Sequence, residues 1–92
     1  MGISLKQIKY NLCKLDDLRG SEKREYIKLF EEFLIKELKN NFNFSVDEIE
    51  FKKSQSSIVC KNKMNEYIKM HFYQNICEIC MSGKYELRFK LD

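Results

Sequence analysis

Four residues in the second half of the sequence have the types that could bind a metal ion: Cys60, His71, Cys77 and Cys80. Cys77 and Cys80 are separated by two residues, and two cysteines at this spacing can supply half of a tetrahedral zinc site. Cys60 and His71 could complete it, so one hypothesis is a zinc-stabilised module with these four ligands. The same spacing occurs in thioredoxin-type redox motifs, but such a motif opens a helix within an alternating β/α pattern, which this sequence lacks.

The local pattern around Cys77 and Cys80 argues against zinc. Side chains three positions apart on a regular β-strand point to opposite faces, so the two thiols could share a metal only in a turn. Residues 65–81 are rich in Tyr, Ile and Phe and alternate in polarity, which favours a strand. We therefore expect no metal and no cofactor, and we expect reduced cysteines that pack as small apolar side chains.

Catalytic residue sets are also weakly represented. His71 is the only histidine, and it could serve as the base for a Cys60 nucleophile in acyl transfer, but no third member of such a set is indicated. The sequence has three glycines and contains no phosphate-binding loop, no Gly-x-Ser-x-Gly and no His-Glu-x-x-His motif. The adjacent carboxylate pairs, Asp16-Asp17 and Glu31-Glu32, are typical of solvated surface. We therefore expect that the protein is not an enzyme.

The elements that must position any site begin with two helices. Residues 21–40 carry apolar side chains at helical spacing, with charged residues on the other side. Ser21 is a suitable N-cap, and Asn40-Asn41 suits a left-handed C-terminal residue. Ser4 and Gln7 fit a capping box at the start of an earlier helix. The pattern predicts helices at about residues 4–17 and 22–40. Their apolar stripes are Leu5, Ile8, Leu12 and Leu15 in the first, and Tyr26, Ile27, Phe30, Phe33, Leu34 and Leu38 in the second.

Beyond Asn43 the period changes to two, which predicts strands within about residues 46–91. In the best-defined strand, Ile68, Met70 and Phe72 fall on one face. The other face carries Tyr67, Lys69, His71 and Tyr73. Ser82-Gly83 is typical of a tight hairpin turn. A helix through residues 65–81 is the competing interpretation.

These elements predict one α+β domain spanning residues 1–92. Its N-terminal two-helix hairpin would pack on one face of a four- or five-stranded antiparallel β-meander. No apolar run is long enough to cross a bilayer, and the N-terminal residues lack the continuous apolar region of a secretory signal. We therefore expect a cytoplasmic protein with no membrane partner. The sequence does not specify its oligomeric state.

Charge is divided unevenly along the chain. Residues 52–92 carry eight basic and four acidic side chains, whereas residues 1–51 carry nine basic and ten acidic ones. Cations and aromatic residues on an exposed sheet face can meet phosphates and stack bases, or they can bind a protein. A solvated face kept soluble by lysine is the simpler alternative. The candidate partner-binding residues are Lys61, Tyr67, Lys69, His71, Tyr73, Arg88 and Lys90.

No family motif is matched, but the general profile is similar to that of small phage-encoded inhibitors of host machinery, such as anti-CRISPR proteins. The similarity lies in the short chain, the two-layer fold, the lack of a catalytic set and a composition typical of an AT-rich genome, with 14 Lys, 3 Arg and no Ala. It implies a non-enzymatic protein that binds a larger protein or nucleoprotein partner and blocks or modulates it. Such a protein would be a phage-type inhibitor of host defence machinery. A nucleic-acid-binding domain that uses the same basic and aromatic face is the alternative function, and the zinc-stabilised module is a second.

Overall fold

The computed structural model describes residues 3–83 and 85–91, which form two α-helices and a five-stranded antiparallel sheet. The chain divides into a helical unit, residues 1–45, and a sheet unit, residues 46–92. This α+β composition was predicted. The formation of one domain by the whole chain, and the packing of the helices on one face of the sheet, stay predictions. The helices are α1 (Leu5–Lys14) and α2 (Gly20–Phe42), and the strands are β1 (Glu48–Lys52), β2 (Ser57–Lys61), β3 (Tyr67–Tyr73), β4 (Ile76–Met81) and β5 (Tyr85–Lys90).

Both helices bury the apolar positions that their periodicity selects. Leu5, Ile8 and Leu12 of α1 are buried, and a 3-10 turn, Leu15–Asp17, follows with Leu15 buried as well. Phe30, Leu34 and Leu38 of α2 are buried, while the other three residues of the predicted stripe are half-buried. Among the described residues, no helix combines the length and the apolar character that a membrane span needs.

The predicted helix caps were wrong in detail. Ser4 makes no side-chain cap; its backbone N–H instead donates to Oε1 of Glu37 at 3.0 Å. The second helix begins at Gly20 after Arg19, so Ser21 lies inside the helix and is not the N-cap. It also ends later than predicted, where Asn43 takes the left-handed conformation and its N–H donates to the carbonyl of Lys39. Asparagine tolerates this conformation, as expected, but the residue that uses it lies two positions beyond Asn41.

Two hydrogen bonds join the helices within their unit. The bond from Ser4 to Glu37 links the beginning of α1 to the second half of α2. The hydroxyl of Tyr26, in the first half of α2, donates to Oδ1 of Asn11 near the end of α1 at 2.6 Å. The packing of the two helices as a hairpin stays a prediction.

The sheet is a meander in the order β1-β2-β3-β4-β5, with every neighbouring pair antiparallel. Residues 67–73 and 76–81 are strands, so the competing prediction of a helix through residues 65–81 was wrong. Positive φ angles allow the tight reversals between strands, at Gln74 between β3 and β4 and at Ser82 and Gly83 after β4. A two-residue reversal after Tyr73 keeps the alternation of β3 in phase with that of β4.

The sheet has two chemically different faces. The register aligns Ile58, Met70 and Ile79 across three strands, and all three side chains are buried. The described side chains on this apolar face are Ile49, Phe51, Ile58, Cys60, Ile68, Met70, Phe72, Cys77, Ile79, Met81, Leu87 and Phe89. Strand parity places the residues that alternate with these on the opposite side, which we call the polar face.

Candidate functional site

The polar face contains every residue that the sequence nominates for partner binding. Tyr67, Lys69, His71 and Tyr73 share it because they occupy alternate positions of β3. The register adds the other three. Lys61 of β2 is opposite Tyr67. Arg88 of β5 is opposite Glu78 of β4, and Glu78 is opposite His71. Lys90 is opposite Ile76, which is opposite Tyr73. The structure therefore brings the seven residues to one side of the sheet.

A carboxylate in the centre of this face holds two of the candidate residues. Oε2 of Glu78 accepts a hydrogen bond from Nη2 of Arg88 at 2.6 Å. Its other oxygen, Oε1, lies 3.6 Å from Nδ1 of His71. The Arg88 hydrogen bond, with a smaller contribution from His71, lowers the pKa of the Glu78 carboxyl. Glu78 is therefore a charged anchor that orients an arginine on one side and a histidine on the other.

The tyrosines of β3 flank this cluster. The rings of His71 and Tyr73 are tilted against each other by 55°, with centroids 6.1 Å apart. At the other end of the strand, the hydroxyl of Tyr67 lies 3.9 Å from Sγ of Cys80, and the hydrogen bond between them raises the pKa of the Tyr67 hydroxyl. Between Tyr67 and His71 is a shallow depression of about 230 Å³. It is lined by Tyr67, Lys69, His71, Glu78, Cys80 and Glu86.

The backbone around Tyr67 fixes this end of the depression. The N–H of Tyr67 donates to Oγ of Ser82 at 3.0 Å, and the N–H of Ser82 donates to the carbonyl of Tyr67 at 2.9 Å. Gly83 follows with a φ of +69°, and a Cβ at this position would lie 3.6 Å from the hydroxyl of Tyr67. The turn predicted at Ser82-Gly83 thus also positions a ring of the candidate site.

Sequence reasoning missed the carboxylates of the polar face. Glu78 lies between Cys77 and Cys80, Glu86 alternates with apolar residues, and neither is among the predicted site residues. A signal was present, because Glu78 lies two positions before Cys80 and must share its face on a strand. What the sequence lacked was the register that places Glu78 opposite both His71 and Arg88.

The proposed zinc ligands are not brought together. Cys60 and Cys77 are buried on the apolar face, whereas His71 and Cys80 lie on the polar face. Burial raises the pKa of the Cys60 and Cys77 thiols to about 12, so neither is primed to form the thiolate that zinc requires. The same separation removes the Cys60–His71 pair as a nucleophile with its base. Among the described residues, no group of three or more His, Cys, Asp or Glu side chains is arranged to hold a metal ion.

Comparison of the chain with protein-family models, with curated proteins and with solved structures finds no match. The chemistry of the polar face is then the best guide to function. Its strand residues include five cations and four carboxylates, because Glu48 and Glu50 of β1 offset most of the positive charge that residues 52–92 bring to this face. The cations are Lys52, Lys61, Lys69, Arg88 and Lys90, and the carboxylates are Glu48, Glu50, Glu78 and Glu86.

Proposed function

We propose that this is a non-enzymatic interaction protein that binds a larger protein or nucleoprotein partner through the polar face of its sheet and blocks or modulates that partner. The observation that carries the proposal is the arrangement on this face, where tyrosine rings stand beside charges that are already paired and oriented. The ring of Tyr73 and the guanidinium of Arg88 are the clearest examples, because Tyr73 is 52% exposed and the side chain of Arg88 is 69% exposed.

Tyrosine and arginine are the residue types that protein interfaces favour. A tyrosine ring buries a large area on binding while it loses little conformational freedom, and arginine adds directional hydrogen bonds. The bond to Glu78 holds Arg88 in one orientation before any partner arrives, which lowers the entropic cost of association. The shallow depression between Tyr67 and His71 offers room for a side chain of the partner.

The distribution of charge favours a protein over a nucleic acid as the direct contact. A phosphate backbone requires cations that are free of carboxylates, because each anion on the surface repels it. On the polar face, Arg88 is bound to Glu78, and Nζ of Lys52 lies 3.9 Å from Oε2 of Glu50. Lys69 and Glu86 lie in the same cross-strand row, with Cys80 of β4 between them. Such alternation suits a protein surface that carries both signs of charge.

The biological setting belongs to the same proposal. The amino-acid composition, which is typical of an AT-rich genome, supports a phage-type inhibitor of host defence, comparable in kind to anti-CRISPR proteins. A reducing compartment such as the cytoplasm fits the cysteines, since Cys60 and Cys77 are buried free thiols and Cys13 is an exposed one.

Affinity capture with matched variants tests the proposal. The wild-type protein, Tyr73→Ala and Glu25→Lys would be used as baits in extracts with and without nuclease treatment. We expect wild type to retain a protein that Tyr73→Ala loses. Glu25→Lys should retain the same protein as wild type, because Glu25 is an exposed residue of α2 and lies outside the sheet. Retention that requires intact nucleic acid would support the nucleic-acid alternative, and equal capture by all three baits would exclude the polar face.

A further inference from the structure

The outer edge of β5 presents backbone groups that no described strand pairs with. The strand order ends at β5, and the N–H of Leu91 just beyond it donates to the carbonyl of Asn75 at 2.9 Å. Hydrogen-bonded and non-bonded pairs alternate along an antiparallel ladder. In the β4–β5 register, the backbone groups of Leu87 and Phe89 therefore point towards β4, while those of Glu86, Arg88 and Lys90 point outwards.

The side chains along this edge have an order that is complementary to itself. Suppose that two copies of β5 pair antiparallel about a two-fold axis. Residues whose backbone groups point outwards must then lie opposite each other. The axis therefore passes through a residue and not between two residues. An axis at Arg88 or at Glu86 places that residue opposite its own copy, and an axis at Phe89 places Arg88 opposite Lys90. Each of these registers sets like charges against each other, although the axis at Arg88 also places Glu86 opposite Lys90 twice. Among the described residues, an axis at Leu87 places Glu86 opposite Arg88 twice and sets no like charges against each other.

The same register is favourable on the apolar face. Leu87 is half-buried in the single chain and would lie directly beside its own copy on the two-fold axis. Phe89, which is 37% exposed at the edge of the sheet, would be covered in part by the partner strand. Pairing thus satisfies unpaired backbone groups, joins opposite charges on one face and removes apolar surface from water on the other.

We propose that the protein forms a symmetric dimer in which two β5 strands pair antiparallel across the axis at Leu87, so that Glu86 of each copy meets Arg88 of the other. The two sheets then join into a single sheet of ten strands, and the two polar faces form a continuous surface. This pairing does not depend on the function proposed above. The competing account is that the charges of β5 are the protection that natural edge strands carry against pairing.

Sedimentation equilibrium of the purified protein at up to about 1 mM, where even weak pairs associate, tests the dimer. We expect a mass of twice 11.2 kDa for wild type. Glu86→Lys sets lysine against arginine, and Arg88→Glu sets two glutamates against each other. Each variant alone should associate at least about tenfold more weakly than wild type. An equimolar mixture of the two should dimerise again, because every cross-strand pair then joins opposite charges.

The mixing experiment also separates the pairing from side effects of the variants. Arg88→Glu loses its bond to Glu78 within the chain, but it does so equally alone and in the mixture, so restored dimerisation reports the contact between copies. Glu25→Lys, a charge reversal on α2, should dimerise as wild type does. A wild-type protein that stays monomeric at about 1 mM, or a dimer that neither single variant weakens, would overturn the proposal.

Discussion

Glu78 and Arg88 face each other across β4 and β5, and Oε2 of Glu78 lies 2.6 Å from Nη2 of Arg88. This pair organises the centre of the polar face, because Glu78 also approaches His71 on the neighbouring strand. Three strands are thereby linked through the side chains of one carboxylate, one guanidinium and one imidazole. The orientation of Arg88, an essential part of the proposed interface, depends on Glu78 remaining ionised.

The first prediction concerns the pH dependence of stability. The pKa of the Glu78 carboxyl is lowered in the folded protein, first by the hydrogen bond from Arg88. A group whose pKa is depressed on folding contributes stability above its unfolded pKa, about 4.3 for glutamate, and loses it as the pH falls through the folded value. Glu78→Gln should therefore lower the urea midpoint at neutral pH, and its difference from wild type should shrink as the solution is acidified below the ordinary glutamate range.

The matched control is Glu25→Gln, which removes an exposed carboxylate from α2. Its urea midpoint should follow that of wild type at every pH. A Glu78→Gln deficit that stays constant down to strongly acidic pH would mean that the loss comes from packing rather than from the ionised pair.

The second prediction concerns thiol reactivity. Burial raises the pKa of Cys60 and Cys77 to about 12, so both remain protonated at neutral pH and are shielded from reagents. Cys13 is exposed and Cys80 is partly exposed. Labelling of the native protein with a disulfide reagent, followed by peptide mass analysis, should modify Cys13 first, Cys80 more slowly, and Cys60 and Cys77 only after unfolding. Rapid native labelling of Cys60 would contradict the assignment of β2 to the interior.

The third prediction tests the core of the helical unit. Phe30 is 2% exposed and Leu34 is fully buried, whereas Lys28 on the same helix is exposed. Phe30→Ala and Leu34→Ala should each lower the free energy of unfolding by about 2–5 kcal/mol because they leave cavities. Lys28→Ala should change it by less than about 0.5 kcal/mol. Chemical unfolding of the three variants distinguishes these outcomes, and equal midpoints would show that α2 does not supply the core.

The sequence predicts strands where apolar and polar residues alternate cleanly. It does not specify the register in which those strands pair. The sequence of β3 places Ile68 on one face and Tyr67 on the other, which is enough to identify a strand and its exposed side. The position of Glu78 opposite both His71 and Arg88 depends instead on the lengths of the turns before and after β4, which the side-chain pattern specifies only loosely. Sequence reasoning therefore identified the cations and rings of the polar face but not the carboxylates that hold them.

Helix ends show a similar limit. Ser21 has the residue type of an N-cap, yet the helix begins one residue earlier, at Gly20, which has a φ of +59°. A glycine that adopts a positive φ can end the preceding segment and start the helix without a side-chain cap. The backbone N–H of Ser4 likewise donates a hydrogen bond to Glu37 of the other helix, a contact that the local sequence does not reveal.

The central claim is that the polar face binds a protein, and the most direct test is the affinity of variants for the isolated partner. Tyr67→Ala, Lys69→Glu and Tyr73→Ala each change that face, and Glu32→Lys, on α2, is the control. Isothermal titration, with circular dichroism to verify folding, would measure each variant at two salt concentrations. We expect the three face variants to bind more weakly, Glu32→Lys to bind as wild type, and salt to weaken binding only shallowly. Full affinity in all three face variants with a loss in Glu32→Lys, or a steep fall with salt accompanied by binding to free oligonucleotides, would contradict the claim.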